Sequence, residues 1–354
     1  MTHWPKVVEL TLDGIAQGGD GVGRWKGRVV FAAGGLPGEH VRVHLTEQRA
    51  AFARGYVTDI VTAAPERVPP QLSGTDHMPW QHIAYSAQLA FKHQILTDQL
   101  AKIANLPDLE ILEFIPSVAP WNYRNTARLH IEGRAMGYFA TGSRTLQPIE
   151  YDPLLLPPLN DALAALQSVL EPTDVVRHVA LRISETQGQV IAELVGTGDL
   201  WPLAQRWREV CPVLSGVVVP GLVSHGDTTL MEQLDGIVLY LQPTVFFQVN
   251  LAAAINLLHT VYSELDLQGD ECLLDLYSGV GTFALPLAQY VHRVLGIEEY
   301  SLAVANARKS AAEHHLTNAR IVDGRVEHML SEIDESFNCV VLDPPRRGCH
   351  QQVL

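Results

Sequence analysis

The residues best suited to chemistry lie in the last third of the chain. Gly279-Val-Gly-Thr-Phe-Ala284 has the spacing of a turn that leaves a strand and opens a helix. Glycine lets the backbone turn sharply there and approach a ligand closely. Glu298 ends the next apolar run, 23 residues past Asp275. An acidic side chain at that place accepts hydrogen bonds from both hydroxyls of a ribose. Asp343 is followed by Pro344 and Pro345, which make a rigid, non-helical turn. Together these residues describe a nucleotide site. Other readings stay open for single members. Glu298 is otherwise a solvated charge beside Glu299, and Asp275 otherwise only bonds the glycine turn. Tyr277 is a ligand contact or a core aromatic. Asp323 reaches an adenine amino group or faces solvent.

Such residues must be carried by a parallel sheet. From about residue 249 apolar strands alternate with helices: helix 251–265, strand 272–277, helix 283–289, strand 294–297, helix 301–314, strand 320–322 and strand 339–343. That alternation predicts a doubly wound α/β fold, whose ligands sit at the carboxyl edge of the strands. Glu298 and Asp343 both fall on that edge. Asp-Pro-Pro at the substrate edge is common in methyltransferases and unusual in dehydrogenases, which share the glycine string.

The preceding chain reads differently. Residues 1–66 hold short alternating strands (Val8, Leu10, Leu12; Val41, Val43, Leu45) between glycine-rich turns, as in a small barrel. Residues 67–105 are a Pro-containing link and an amphipathic helix at about 82–104, with Ala87, Phe91 and Ile95 at four-residue spacing. Residues 106–245 form a middle α/β domain with strands at 127–131, 179–183, 190–195 and 217–219 and a helix at 159–170. Residues 246–354 are the nucleotide-binding domain.

The 354 residues carry a net charge of −14, which argues against a chain that grips nucleic acid with its whole surface. A local basic island nonetheless occurs at residues 121–150, where Arg124, Arg128, Arg134 and Arg144 face Glu132 and Glu150. Trp121, Tyr123, Tyr138 and Phe139 interleave with them. Arginines for phosphates and aromatics for unpaired bases are RNA-binding tools; the alternative is a set of internally paired surface arginines. No apolar run has the length of a membrane span, and the start lacks a secretory signal. Cys211, Cys272, Cys339 and Cys349 form no metal-ligand spacing and read as reduced thiols of a cytoplasmic protein.

Several motifs in one order resemble the RNA uracil-C5 methyltransferases, which act on tRNA or 23S ribosomal RNA. They are Trp80-Gln-His82 before Gln88-Leu-Ala-Phe-Lys92, Tyr123-Arg-Asn-Thr-Ala-Arg-Leu129, Gly137-Tyr-Phe, Phe246-Phe-Gln-Val-Asn250, Leu274-Asp-Leu-Tyr-Ser-Gly-Val-Gly-Thr-Phe and Leu342-Asp-Pro-Pro-Arg-Arg-Gly348. The first 66 residues resemble the TRAM domain, an OB-like RNA-binding barrel. The resemblance covers nearly the whole chain. It implies a Rossmann-like class I fold, S-adenosylmethionine as cofactor, RNA as partner, and cofactor contacts from Gln248, Tyr277, Glu298 and Asp343. It says nothing of oligomeric state.

Two features depart from that family. Many members bind a [4Fe–4S] cluster on cysteines before the Trp-Gln-His and a fourth later on. Here those places hold Pro69, Thr75, Met78 and about Asp152, so no cluster is expected. The family also uses a cysteine in a Ser-Cys-Asn-Pro motif, which adds to C6 of uracil, and a glutamate base; both follow the Asp-Pro-Pro-Arg. This sequence reaches Leu354 without them. The expectation is that they lie beyond Leu354, in a longer natural protein, and that 339–342 here forms an exposed apolar edge. Cys349, close to Arg346 and Arg347, is the weaker candidate. Rival readings are a non-catalytic RNA-binding protein of the same fold, a methyltransferase acting on another nucleobase atom, and an NAD-dependent enzyme.

Overall fold

A computed structural model describes residues 4–221 and 224–353. They form two compact units, residues 1–116 with 140–144, and residues 117–139 with 145–354.

The first unit begins with five strands: β1 (Val7–Ile15), β2 (Gly21–Trp25), β3 (Arg28–Ala33), β4 (His40–Gln48) and β5 (Phe52–Thr62). They close into a barrel in the order β1-β2-β3-β5-β4, with β4 pairing back onto β1. Alternation dictates this: Val8, Leu10 and Leu12 point inward with Val30, Val41, Val43 and Ala53, while Glu9 and Thr11 face out. Closure leaves no unpaired edge.

One buried ion pair ties the following link to the barrel. Glu39 is fully buried, and its carboxylate accepts hydrogen bonds from Arg67 at 2.5 and 2.8 Å and from the Leu36 N–H at 2.9 Å. Burial pushes its pKa up, but the Arg67 and Leu36 hydrogen bonds outweigh that, and the group is held below its ordinary value. Helix α1 (Tyr85–Lys102) starts later than the periodicity suggested. Ile83 is committed elsewhere: it bridges Arg67, and its N–H donates to the Trp80 carbonyl at 3.0 Å. Ile83 then packs with Leu36, Ala64 and Ala87.

The second unit holds a mixed sheet and a parallel one. Its first part runs β6 (Thr126–Glu132), β7 (Ala135–Phe139), β8 (Leu146–Pro148), α2 (Pro157–Val169), β9 (Val176–Ser184), β10 (Gln189–Gly196), α3 (Trp201–Val210), β11 (Leu214–Val218) and β12 (His225–Gly226). The strands order as β12-β11-β10-β9-β6-β7-β8. Leu129, Val179, Leu181 and Leu194 project from one face into a core with Leu159, Leu163 and Trp207 of the two helices. The hairpin β13 (Leu230–Leu234) and β14 (Ile237–Leu241) follows. The remainder is α4 (Leu251–Leu265), β15 (Cys272–Leu276), α5 (Ala284–Leu287), β16 (Arg293–Glu298), α6 (Ser301–Glu313), β17 (Ala319–Asp323), α7 (Val326–Met329) and β18 (Cys339–Leu342). Its four strands are parallel, in the order β17-β16-β15-β18.

Helix α5 is shorter than the expected 283–289. Pro286 has no N–H, and the chain leaves the helix through tighter bonds, Tyr290 N–H to the Leu287 carbonyl at 2.9 Å among them. As expected, β18 is an open apolar edge, with Val340 52% and Leu342 40% exposed.

The Glu39–Arg67 pair generates a prediction. Arg67→Ala leaves a buried carboxylate without its cation, which costs about 3–5 kcal/mol at neutral pH. A carboxyl with a lowered folded pKa contributes stability above its ordinary value of 4.5 and loses it as pH falls through the folded value. Urea unfolding is therefore expected to show a large deficit for the variant at pH 7 and a smaller one at pH 4. An equal deficit at both would show that the pair is not what holds the link.

Candidate cofactor and RNA site

The site is built on the end of β15. Asp275 is buried there at 1% exposure, and its Oδ2 accepts the Ala284 N–H at 2.9 Å, which pins the start of α5 under the glycine turn. The structural reading of Asp275 therefore holds for that oxygen. Oδ1 has no partner, nor has the buried hydroxyl of Ser278. Burial pushes the Asp275 pKa up to about 7; the Ala284 N–H opposes this, and the charges of Asp343 and Glu298 add to it. These three carboxylates thus share one electrostatic neighbourhood at the carboxyl edge of the sheet.

The turn itself has a demanding backbone. Tyr277, Gly279 and Gly281 all take positive φ, at 64°, 56° and 85°. A Cβ on Gly281 would stand 2.6 Å from Leu285 Cγ, whereas the Cβ position of Gly279 meets nothing within 4 Å. The second glycine is required by helix packing and the first leaves room for a ligand. Glu298 braces the turn from the next strand. Its Oε2 accepts from the Gly279 N–H at 2.9 Å and its Oε1 from the Tyr300 N–H at 2.8 Å. A carboxylate oxygen has two lone pairs, so both oxygens can still accept from a ribose diol. Orphaned buried polar atoms, an open glycine and a fixed carboxylate fit a nucleoside cofactor.

Tyr277 is half-buried against the cluster of Leu274, Leu276, Leu295, Ile297 and Val326, and burial, with the charges of Cys349 and Glu327, pushes its phenol up. Asp343 and Asp323 are exposed. Gln248 is positioned from the middle sheet. Asn125 Nδ2 donates to its carbonyl at 3.0 Å, and the Asn125 N–H to the Val249 carbonyl at 2.9 Å. Arg182 Nη2 donates to the Val245 carbonyl at 2.7 Å. Asn250 then caps α4 by accepting the Ala253 N–H at 3.0 Å. Sequence reasoning missed Arg182. It is 4% exposed, its Nε and Nη1 are unpartnered, and burial lowers its pKa to about 10. The same clamp buries Phe247 and leaves Phe246 66% exposed. Two adjacent phenylalanines, only one of which a core can take, were the available signal.

The basic island is only partly assembled as read. Arg128 donates to His178 Nε2 at 3.0 Å and Arg134 to the Gln167 carbonyl at 3.2 Å. The internally paired alternative thus holds for Arg128 and Arg134, whose partners are an imidazole and a carbonyl rather than carboxylates. Arg144 belongs to the other unit. Tyr138 is not a stacking surface: its hydroxyl donates to Asp152 at 2.8 Å and its ring packs on the middle core. Among the described residues no group of three or more His, Cys, Asp or Glu side chains could hold a metal ion, and no helix is long and apolar enough to cross a membrane.

Known proteins align with this architecture. An RNA methyltransferase of Thermosynechococcus vestitus is 34% identical over 390 residues, covering 100% of this chain and 87% of that protein. The profile described as tRNA (Uracil-5-)-methyltransferase matches residues 235–354, and that of the TRAM domain residues 6–58. The chain belongs to the RNA uracil-5-methyltransferase family. Another of its RNA methyltransferase relatives, from Synechocystis, is 31% identical over 98% of this chain and 83% of its own length. The fold agrees with the structure of Pyrococcus abyssi tRNA (uracil-54, C5)-methyltransferase in complex with S-adenosyl-L-homocysteine. There the TM-score is 0.77 at 23% identity, over 98% of this chain and 85% of that one. Family membership bears out the resemblance read from the motifs, and with it the class I methyltransferase fold behind a TRAM barrel.

The buried carboxylate of this methyltransferase gives a second prediction. A folded pKa raised above its ordinary value means that stability falls as pH climbs from 3.8 to about 7. Asp275→Asn keeps an oxygen for the Ala284 N–H and removes the charge. In thermal melts of the cofactor-free protein, the variant is expected to gain on the parent as pH rises from 5 to 8. A gap independent of pH would show that the carboxyl is not titrating in this range.

Proposed function

We propose that the protein transfers the methyl group of S-adenosylmethionine to C5 of a uridine in tRNA or 23S ribosomal RNA. The observation that carries this reading is the group of Asp275, Glu298 and Asp343 around one glycine turn, in a chain of the uracil-5-methyltransferase family. Bound there, S-adenosylmethionine supplies an electrophilic methyl group on a cationic sulfonium. Glu298 accepts from the ribose hydroxyls. Tyr277 and Gln248 complete the cofactor contacts, and Asp343 holds the edge where cofactor and uracil meet. Exposed Phe246, two residues before Gln248, offers a ring on which a base turned out of its RNA can stack.

C5 of uracil needs activation by a thiolate at C6. Cys272 and Cys339 open β15 and β18, so they sit at the edge of the sheet away from the site. Burial pushes the thiols of Cys339 and Cys211 up, against thiolate formation. Cys349 lies nearer, its charge felt by Tyr277, but on the loop after Gly348 rather than on a strand. None of the four thiols is therefore proposed as the nucleophile.

The deciding experiment incubates the natural full-length protein with S-adenosylmethionine and unmodified tRNA or 23S RNA, followed by nucleoside mass spectrometry. The expected product is 5-methyluridine, and the productive RNA names the substrate. Glu298→Ala is expected to weaken S-adenosylmethionine binding at least tenfold by calorimetry, having removed two charge-assisted hydrogen bonds. Cys349→Ser is expected to keep full activity. Tight RNA binding without methylation would favour the non-catalytic alternative, and a methylated adenine would sink the uracil assignment.

A further inference from the structure

The middle sheet has a second face that its helices do not cover. Leu129, Ile131, Val179 and Leu181 point toward α2 and α3, so their alternates, Thr126, Arg128, His130, His178, Ala180 and Arg182, point the other way. At one end of this face Arg182 is buried against the Val245 carbonyl. At the other end the face carries rings instead of a core. His130 and Phe139 stack with centroids 3.8 Å apart and planes 13° from parallel. His178, directly opposite His130 on β9, meets it edge to face at 6.3 Å. Exposed Arg128 donates to His178 Nε2. Burial, with the charges of Arg128 and His130, lowers the His178 pKa, which keeps that nitrogen free to accept. His130, Phe139 and His178 are each half-buried, with part of each ring left to solvent.

Aromatic and imidazole rings standing half-open on a sheet, beside an arginine without a carboxylate partner, match what stacks an unpaired nucleobase and neutralises its phosphate. The glutamates nearby, Glu132 and Glu193, lie at the end of β6 and on β10, flanking the rings. Arg182 lies four positions beyond His178 on β9, about 13 Å along the strand. The ring cluster thus shares a face with the clamp that positions Phe246 and Gln248.

We infer that His130, Phe139 and His178, with Arg128, form a stacking subsite for an unpaired RNA nucleotide flanking the uridine to be methylated. This rests on the RNA-directed function proposed above. The subsite takes any base, because stacking uses the ring face, and Arg128 contributes charge without sequence preference.

The test uses the full-length protein and an oligouridylate of about a dozen nucleotides, within the range of single-strand site sizes. One form carries 4-thiouridine for photo-crosslinking, and an abasic strand of equal length is the control. The expected crosslinks in the unmutated protein include the peptide bearing His130 or Phe139. Phe139→Ala is expected to lose about fivefold or more in oligouridylate affinity, as for one stacked base, and to leave binding of the abasic strand unchanged. Arg128→Gln is expected to weaken both strands and to flatten the salt dependence by about one unit. S-adenosylmethionine affinity and melting temperature of the variants serve as the check on folding. If the RNA binds but crosslinks map only elsewhere, or Phe139→Ala binds like the parent, the subsite is wrong and the RNA-directed function stands. If the parent binds no RNA, that function fails and takes the subsite with it.

Discussion

The carboxyl edge of the parallel sheet depends on a carboxylate that is almost wholly buried. Asp275 lies under the turn that leaves β15 and gives one oxygen to the Ala284 N–H. A one-turn helix interrupted by Pro286 has little stability of its own, so this bond and the apolar contacts of Leu285 and Leu287 define where it starts. Once the turn is fixed, Gly279 presents its N–H to Glu298, and Glu298 in turn orders Tyr300 at the entry to α6. A desolvated carboxyl between two other acids is an expensive anchor. Its unpaired oxygen marks it as a group whose surroundings are completed by something the chain does not provide.

Much of this was legible in the sequence. Glycine spacing, the acid ending the next strand and the Asp-Pro-Pro corner are local signals, because turn geometry and strand ends constrain residue types directly. The barrel was legible for the same reason, since alternation over Val8, Leu10 and Leu12 leaves one buried face. What remained hidden depends on pairing at a distance. Nothing near Arg182 in the chain announces that its guanidinium reaches the Val245 carbonyl, 63 residues on. Tyr138 looked like a base-stacking ring because its neighbours are basic; only Asp152, brought close by the fold, turns it inward. His130 and His178 are unremarkable singly and become a cluster only through the register of β6 and β9.

The middle sheet shows how one surface can serve two environments. Its helix-covered side is apolar, aliphatic except for Met136 and the ring of Tyr138. The other side changes character along β9, from a buried cation at Arg182 to a partly wet ring at His178. Arg182, with two orphan donors, shares with Asn125 the support of the segment that carries Phe246 to Asn250.

The hairpin of β13 and β14 is a party wall between the two sheets. Ile191 of β10 sits in the same apolar cluster as Leu239, Leu273 and Ala307, and the cluster runs unbroken into the parallel sheet. On one side Ser184 donates to the Met231 carbonyl at 2.7 Å, and on the other the Val238 and Tyr240 N–H groups donate to His314 and Ser310 at 2.8 and 3.2 Å. Elements that share a core and hydrogen bonds on both sides cannot hinge about each other without breaking it. Within this unit, then, closing one sheet against the other is not available as a way to bring a ligand to the glycine turn.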